Sequence, residues 1–184
     1  MNLKKSTIIL LIALLAIGMF LVFNRSTVKT MTTKFLGATP RIFVPKKSIY
    51  ALDKDYSYVQ KTTNFVPHNR QEIMNILYTI FDNGYESFTF YCPTEYDNCT
   101  EAVEDISNDQ TIITNIGNFV HPFNNFTSIK VSTDILGEIT INVKKMYSKE
   151  DINRINGEID TIINGIDPSL SLDDKILKAH DILI

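Results

Sequence analysis

From Ile8 to Phe23 the chain runs through residues that are all apolar or small, with no charge and no proline. As a helix these 16 residues span about 24 Å, close to the roughly 30 Å hydrocarbon core of a bilayer. Ser6, Thr7 and Asn24 extend the run into a short span, and Lys4 and Lys5 give it a basic leading edge. The competing reading, a buried core helix, is disfavoured because the run is apolar all round rather than amphipathic. A cleaved signal needs small residues at the exit of the run. The exit here is Asn24-Arg25-Ser26-Thr27-Val28, a poor site. The expectation is therefore a signal anchor or transmembrane helix over residues 1–25, with a cleaved signal peptide as the alternative. The tail before the run is very short and is expected to stay inside. Residues 26–184 then lie outside the cytoplasm, on a single-pass cell-membrane protein.

About 155 residues follow, enough for one domain with its own core. The net charge of −3 conceals an asymmetry, because Lys4, Lys5, Arg25 and Lys29 precede every acid and the remainder holds 14 basic against 21 acidic residues. Between Gln71 and Ile129 there are nine acids and no lysine or arginine. An acidic body excludes nucleic acid as a partner. Residues 26–47, polar and basic with Pro40 and Pro45, read as a juxtamembrane stalk whose charges suit anionic headgroups or simply water.

The two cysteines, Cys92 and Cys99, stand seven apart in Cys-Pro-Thr-Glu-Tyr-Asp-Asn-Cys. Outside the cytoplasm a local disulfide is the natural reading. Free thiols remain an alternative, as does a metal or catalytic role. The spacing is not that of a zinc site and no histidine lies nearby. Nothing in the sequence calls for a metal or a cofactor.

An α+β domain is expected over residues 48–168. Residues 48–64, with Ile49-Tyr50-Ala51-Leu52 and Tyr56-Ser57-Tyr58-Val59, predict one or two short strands or extended segments. Ile73, Ile76, Leu77 and Ile80 recur at helical spacing, predicting a helix over 68–82 with Pro67 near its first turn and Asn64 or a neighbour as cap. Residues 85–91 alternate as a strand. Two short helices follow, one over 99–107 and one through Ile112, Ile113 and Ile116. Residues 127–132 and 138–147 predict a hairpin. Ser148 opens a long helix with Asp151 at capping-box spacing, striped by Ile152, Ile155, Ile159, Ile162 and Ile166. Ser171 caps a last helix. The sheet is expected to be small and mainly antiparallel, with helices packed on it.

The last segment, Ser171-Leu-Asp-Asp-Lys-Ile-Leu-Lys-Ala-His180-Asp181-Ile-Leu-Ile, resembles the first helix of transglutaminase-like (papain-fold) domains of Gram-positive bacteria, which ends in His-Asp-Tyr-Ile. Phe88-Thr-Phe-Tyr-Cys92, Val120-His-Pro-Phe-Asn124, the Ile-rich hairpin and Tyr147-Ser-Lys-Glu-Asp resemble the membrane-anchored region preceding such domains. The resemblance implies that residues 169–184 open a transglutaminase-like domain cut short before its catalytic core. That family uses a Cys-His-Asp triad, and no position here matches any of the three. His180 corresponds to the helix histidine, not the base, and Ile182 stands where tyrosine is expected. The implied function is a membrane-tethered extracytoplasmic accessory or interaction domain without its own catalytic residues. The alternatives are a cell-wall or peptide-binding module lined by exposed tyrosines (Tyr50, Tyr56, Tyr58, Tyr85, Tyr91, Tyr96), or a hydrolase built on His121. His121 is the candidate loop site because it lies between a helix and a strand. Its competing role is to bond the loop backbone while Pro122, Phe123 and Phe126 pack the hairpin.

Overall fold

The computed structural model describes residues 42–134 and 137–183, together with positions 10, 13–16, 18 and 19. Helix α1 (Arg70–Asp82) comes first, followed by β1 (Ser87–Tyr91), α2 (Cys99–Asn108) and α3 (Gln110–Gly117). A single 3-10 turn (Pro122–Asn124) leads into β2 (Phe126–Thr133) and β3 (Glu138–Lys145). Helices α4 (Lys149–Asn164) and α5 (Leu172–Leu183) complete the order.

The three strands form one antiparallel sheet in the order β1-β3-β2. Phe88 opposes Ile141 and Phe90 opposes Ile139 across one pair, and Val131 opposes Ile141 across the other. The strand period of two sends Phe88, Phe90, Ile139, Ile141 and Val143 inward. Thr89, Tyr91, Glu138, Thr140 and Asn142 take the opposite face. There Thr89 and Thr140 share a hydroxyl hydrogen bond of 3.0 Å, and the Tyr91 hydroxyl donates to Glu138 at 3.0 Å.

Helix α1 occupies the centre. From Ile73 to Asp82 every residue but Asn75 is buried. Its start is set by Asn69, not Asn64. The Asn69 side chain accepts from the Glu72 amide at 3.0 Å, and the Glu72 carboxylate accepts in return from the His68 amide at 2.9 Å. An acid three residues past the cap makes this the stronger start.

Residues 48–64 form no strand. They wrap α1 as an extended strap, because their amides find side-chain acceptors on the helix instead of a neighbouring strand. Asn75 accepts from the Gln60 amide at 2.9 Å, and Thr79 accepts from the Thr62 amide at 3.0 Å. Asp82 accepts from the amides of Leu52 and Asp53 at 3.0 and 3.2 Å.

Cys92 and Cys99 are joined in a disulfide that ties the end of β1 to the start of α2, with both residues buried. The closed loop is short, so on the loop-entropy relation the bond contributes about 2.5 kcal/mol. Reduction, or replacement of both cysteines by alanine, should lower the denaturation free energy by roughly that amount while α1 and the sheet persist. Guanidinium melts with and without reductant measure it, and unchanged midpoints would deny the bond a stabilising role.

The expected membrane-spanning helix requires correction. Among the described residues no helix is long and apolar enough to cross a membrane. The most buried helix, α1, has 13 residues, about 20 Å, and carries Arg70, Glu72 and Asp82. Of the later helices, α2, α4 and α5 carry charged residues along their length, and α3, which carries none, has only 8 residues. Most of Ser6–Phe23, and of the stalk over 26–47, lies outside the described residues. The described fold is thus α+β, a three-stranded antiparallel sheet with packed helices.

Candidate functional site

The β3 alternation does not stop at Val143. Lys145 falls on the same inward-facing side as Ile139, Ile141 and Val143, at the end of the strand. It opposes Phe126 across a β-bulge in β2. The ammonium group is therefore held half-buried, donating to the Asn124 carbonyl at 3.1 Å. Burial pushes its pKa down to about 8 from 10.5, with partial relief from the charge of Glu86. No ion pair to Lys145 forms among the described residues.

Lys145 lines a cleft of about 550 Å³ between the strap, the 3-10 turn and the first turns of α4. Tyr50, Phe123, Tyr147 and Ile152 supply its apolar walls, and Glu86 and Lys149 its other charges. The rings are locked edge to face: Tyr50 on Phe123 at 5.0 Å and Phe123 on Tyr147 at 6.0 Å between centroids. The Tyr50 hydroxyl accepts from Asn156 on α4 at 2.9 Å, fixing that ring from the far side.

His121 stands behind this wall. Its ring stacks on Tyr50 at 5.1 Å and 25°. Its Nδ1 accepts from the Phe123 amide at 3.1 Å, capping the 3-10 turn. No hydrogen bond or ion pair joins it to an acid among the described residues, and both cysteines are spent in the disulfide. His121 thus positions Tyr50 and Phe123. His180 lies on α5, exposed, 3.6 Å from its neighbour Asp181. No cluster of three or more metal-ligating side chains occurs among the described residues.

The six tyrosines do not share a face. Tyr85 is buried, Tyr56 and Tyr58 pack on Phe119, Tyr96 rests against the core, and Tyr91 lies on the outer sheet. Only Tyr50 reaches the cleft. Phe123, Tyr147 and Lys145 join it there, and sequence reasoning had not placed the last two at any site. The available signal was the cation at the fourth step of the Ile139-Ile141-Val143 alternation.

The cleft lysine makes stability depend on pH with a definite sign. Lys145 releases its proton near pH 8 when folded and near 10.5 when unfolded. Between those values the unfolded chain holds more protons, so raising the pH favours folding. Tyr78, Tyr85 and Tyr91 are shifted the other way: burial raises each of them above 10.0. Their contribution is intact below pH 10 and is lost as the pH rises beyond it. Denaturant midpoints should rise from about pH 7.5 to 9.5 and fall by pH 11. The first rise should flatten in Lys145→Met, and an identical rise in that variant would contradict the assignment.

A second surface feature lies on α4 and α5. The core is complete without them, and α4 has no buried residue. Ile159, Ile163, Leu172, Ile176, Leu177 and Ile182 are exposed, Leu172 to 73%. Comparison with protein-family models, with curated proteins and with solved structures finds no match for this chain.

Proposed function

We propose that this chain is an extracytoplasmic interaction domain, without catalytic residues of its own, that docks a transglutaminase-like catalytic domain on the α4–α5 hairpin. The observation that carries the reading is the row of exposed isoleucines and leucines on two helices that contribute nothing to the core. Single exposed apolar residues are ordinary, but a contiguous apolar stripe marks an interaction surface. On α4 the exposed Ile159 and Ile163 stand four apart and so share one side of the helix, while Ile152, Ile155 and Ile162 are half-buried. The His180-Asp181 pair, which carries the resemblance, lies on the second of these helices. The Cys92–Cys99 disulfide supports an oxidising compartment. The order of Lys4 and Lys5 before an apolar run supports export.

The test titrates the isotope-labelled full chain with a purified transglutaminase-like catalytic domain from the same organism and follows isoleucine methyl resonances. Ile159, Ile163 and Ile176 should shift or broaden. The pair Ile163→Glu and Ile176→Glu should abolish the response while leaving the melting of the body unchanged, because neither side chain enters the core. Shifts confined to other isoleucines, or none, would reject the docking surface. Cysteine-dependent amide hydrolysis by the chain alone would reject the non-catalytic reading.

A further inference from the structure

We propose that the cleft beside Lys145 binds the free carboxylate of an apolar or aromatic residue, as at the C-terminus of a peptide. An ammonium group has three donors, and Lys145 commits one of them to the Asn124 carbonyl. Withdrawing a cation from water without a counter-charge is costly, and the folded chain offers no ion pair to Lys145 among the described residues. A carboxylate from outside would meet both needs. Next to this cation the walls are apolar, Phe123, Tyr147 and Ile152, with a volume of about 550 Å³, within the range of small-ligand sites. The aromatic rings are fixed by their mutual edge contacts and by the Asn156–Tyr50 hydrogen bond, so the walls exist before a ligand arrives.

Charge selects among anions. Glu86 lines the same cleft and acts on Lys145 through space. Its negative charge disfavours a dianionic phosphate more than a singly charged carboxylate. The apolar walls give no return to an inorganic ion, whereas an adjoining side chain gains by covering them. The acid and the lysine pair thus fit an organic monoanion with an apolar substituent beside its charge.

This inference does not depend on the docking of α4–α5, and either can fail without the other. The experiment titrates the full, nitrogen-15-labelled chain with N-acetyl-Ala-Phe and with its C-terminal amide. The acid should shift the amide signals of Tyr50 and of residues 145–153, and should bind at least roughly ten-fold more tightly than the amide, about 1.4 kcal/mol. Lys145→Met should erase that preference with no loss of thermal stability, and Lys145→Arg should retain part of it. Affinity for the acid should fall as the pH is raised from 7 to 9.5. The other titratable groups lining the site are Tyr50, Tyr147, Lys149 and Glu86. Equal affinities for acid and amide, an undiminished preference in Lys145→Met, or no shifts at millimolar ligand would overturn the proposal. So would displacement of the acid by an equal concentration of inorganic phosphate.

Discussion

Asp82→Ala should cost at least about 3 kcal/mol of folding stability, the range for removing one partner of a buried ion pair. Asp82 is the last residue of α1 and is fully buried. One carboxylate oxygen accepts from the Leu52 amide; the other accepts from the Asp53 amide and meets the Lys61 ammonium at 2.6 Å. Alanine would orphan two strap amides and take the nearest carboxylate from a lysine whose side chain is only 19% exposed. Lys61 would keep the Asn83 side-chain oxygen at 2.5 Å and its longer pairing with Asp53 at 3.5 Å. Asp53 itself pairs with Lys47, which holds its carboxyl below the ordinary range. These remnants soften the loss without replacing it. Asp82→Asn keeps volume and one acceptor, and should lose less than the alanine variant. Urea denaturation of the three proteins gives the ranking, and hydrogen exchange should show the Leu52 and Asp53 amides losing protection first. If both variants melt within about 1 kcal/mol of the parent, the strap is held by its apolar contacts and not by this carboxylate.

The strap also shows what could be read from the residues alone. Helix α1 was legible because Ile73, Ile76, Leu77 and Ile80 repeat at helical spacing, and the hairpin because Ile139, Ile141 and Val143 alternate. The strap was not, since its order comes from a second pattern laid over the first. Asn75, Thr79 and Asp82 also recur at four- and three-residue steps, on a helix that is buried from Ile73 to Asp82 at every position but Asn75. A polar stripe on such a helix must satisfy its own groups, and here it does so by accepting strap amides. Tyr50-Ala51-Leu52 looks strand-like, yet its partner is a helix. The cleft was hidden for a related reason. His121 drew attention as a titratable loop residue, but its ring and Nδ1 are committed to Tyr50 and the Phe123 amide. Lys145 follows directly on Lys144, and only the strand parity distinguishes the two. The Cys92–Cys99 bond was legible because the spacing and the expected oxidising compartment both favoured it. Along α4 and α5 the chain exposes Ile159, Ile163, Ile176 and Leu177, and residues of this kind mark a surface without naming an occupant.

Gly84→Ala should destabilise the fold by about 2–3 kcal/mol, from two sources that add. The first is conformational. Gly84 ends the turn after α1 at φ +70°, where a side chain costs roughly 1 kcal/mol. The second is steric. A Cβ there would stand 2.7 Å from the Asn124 side-chain oxygen and 2.9 Å from the Ser48 Cβ. Neither neighbour yields freely. The buried Asn124 side chain donates to the Asp82 carbonyl at 2.7 Å, and Ser48 is anchored by its amide to the Asn83 carbonyl at 2.8 Å. Relieving the clash means moving the 3-10 turn, and that turn also supplies the carbonyl that holds Lys145 and the ring of Phe123. The substitution should therefore disturb the cleft as well as the stability. Its signature would be shifted amide signals at Phe123, Lys145 and Tyr147 in the folded protein, together with a lower denaturant midpoint. Asn124→Ala removes one clash and one hydrogen bond, so in the Gly84→Ala background it should cost less than in the parent. That non-additivity isolates the Asn124 contact: strictly additive losses would assign the effect to φ and the Ser48 contact, and a smaller loss in the double variant would assign part of it to Asn124.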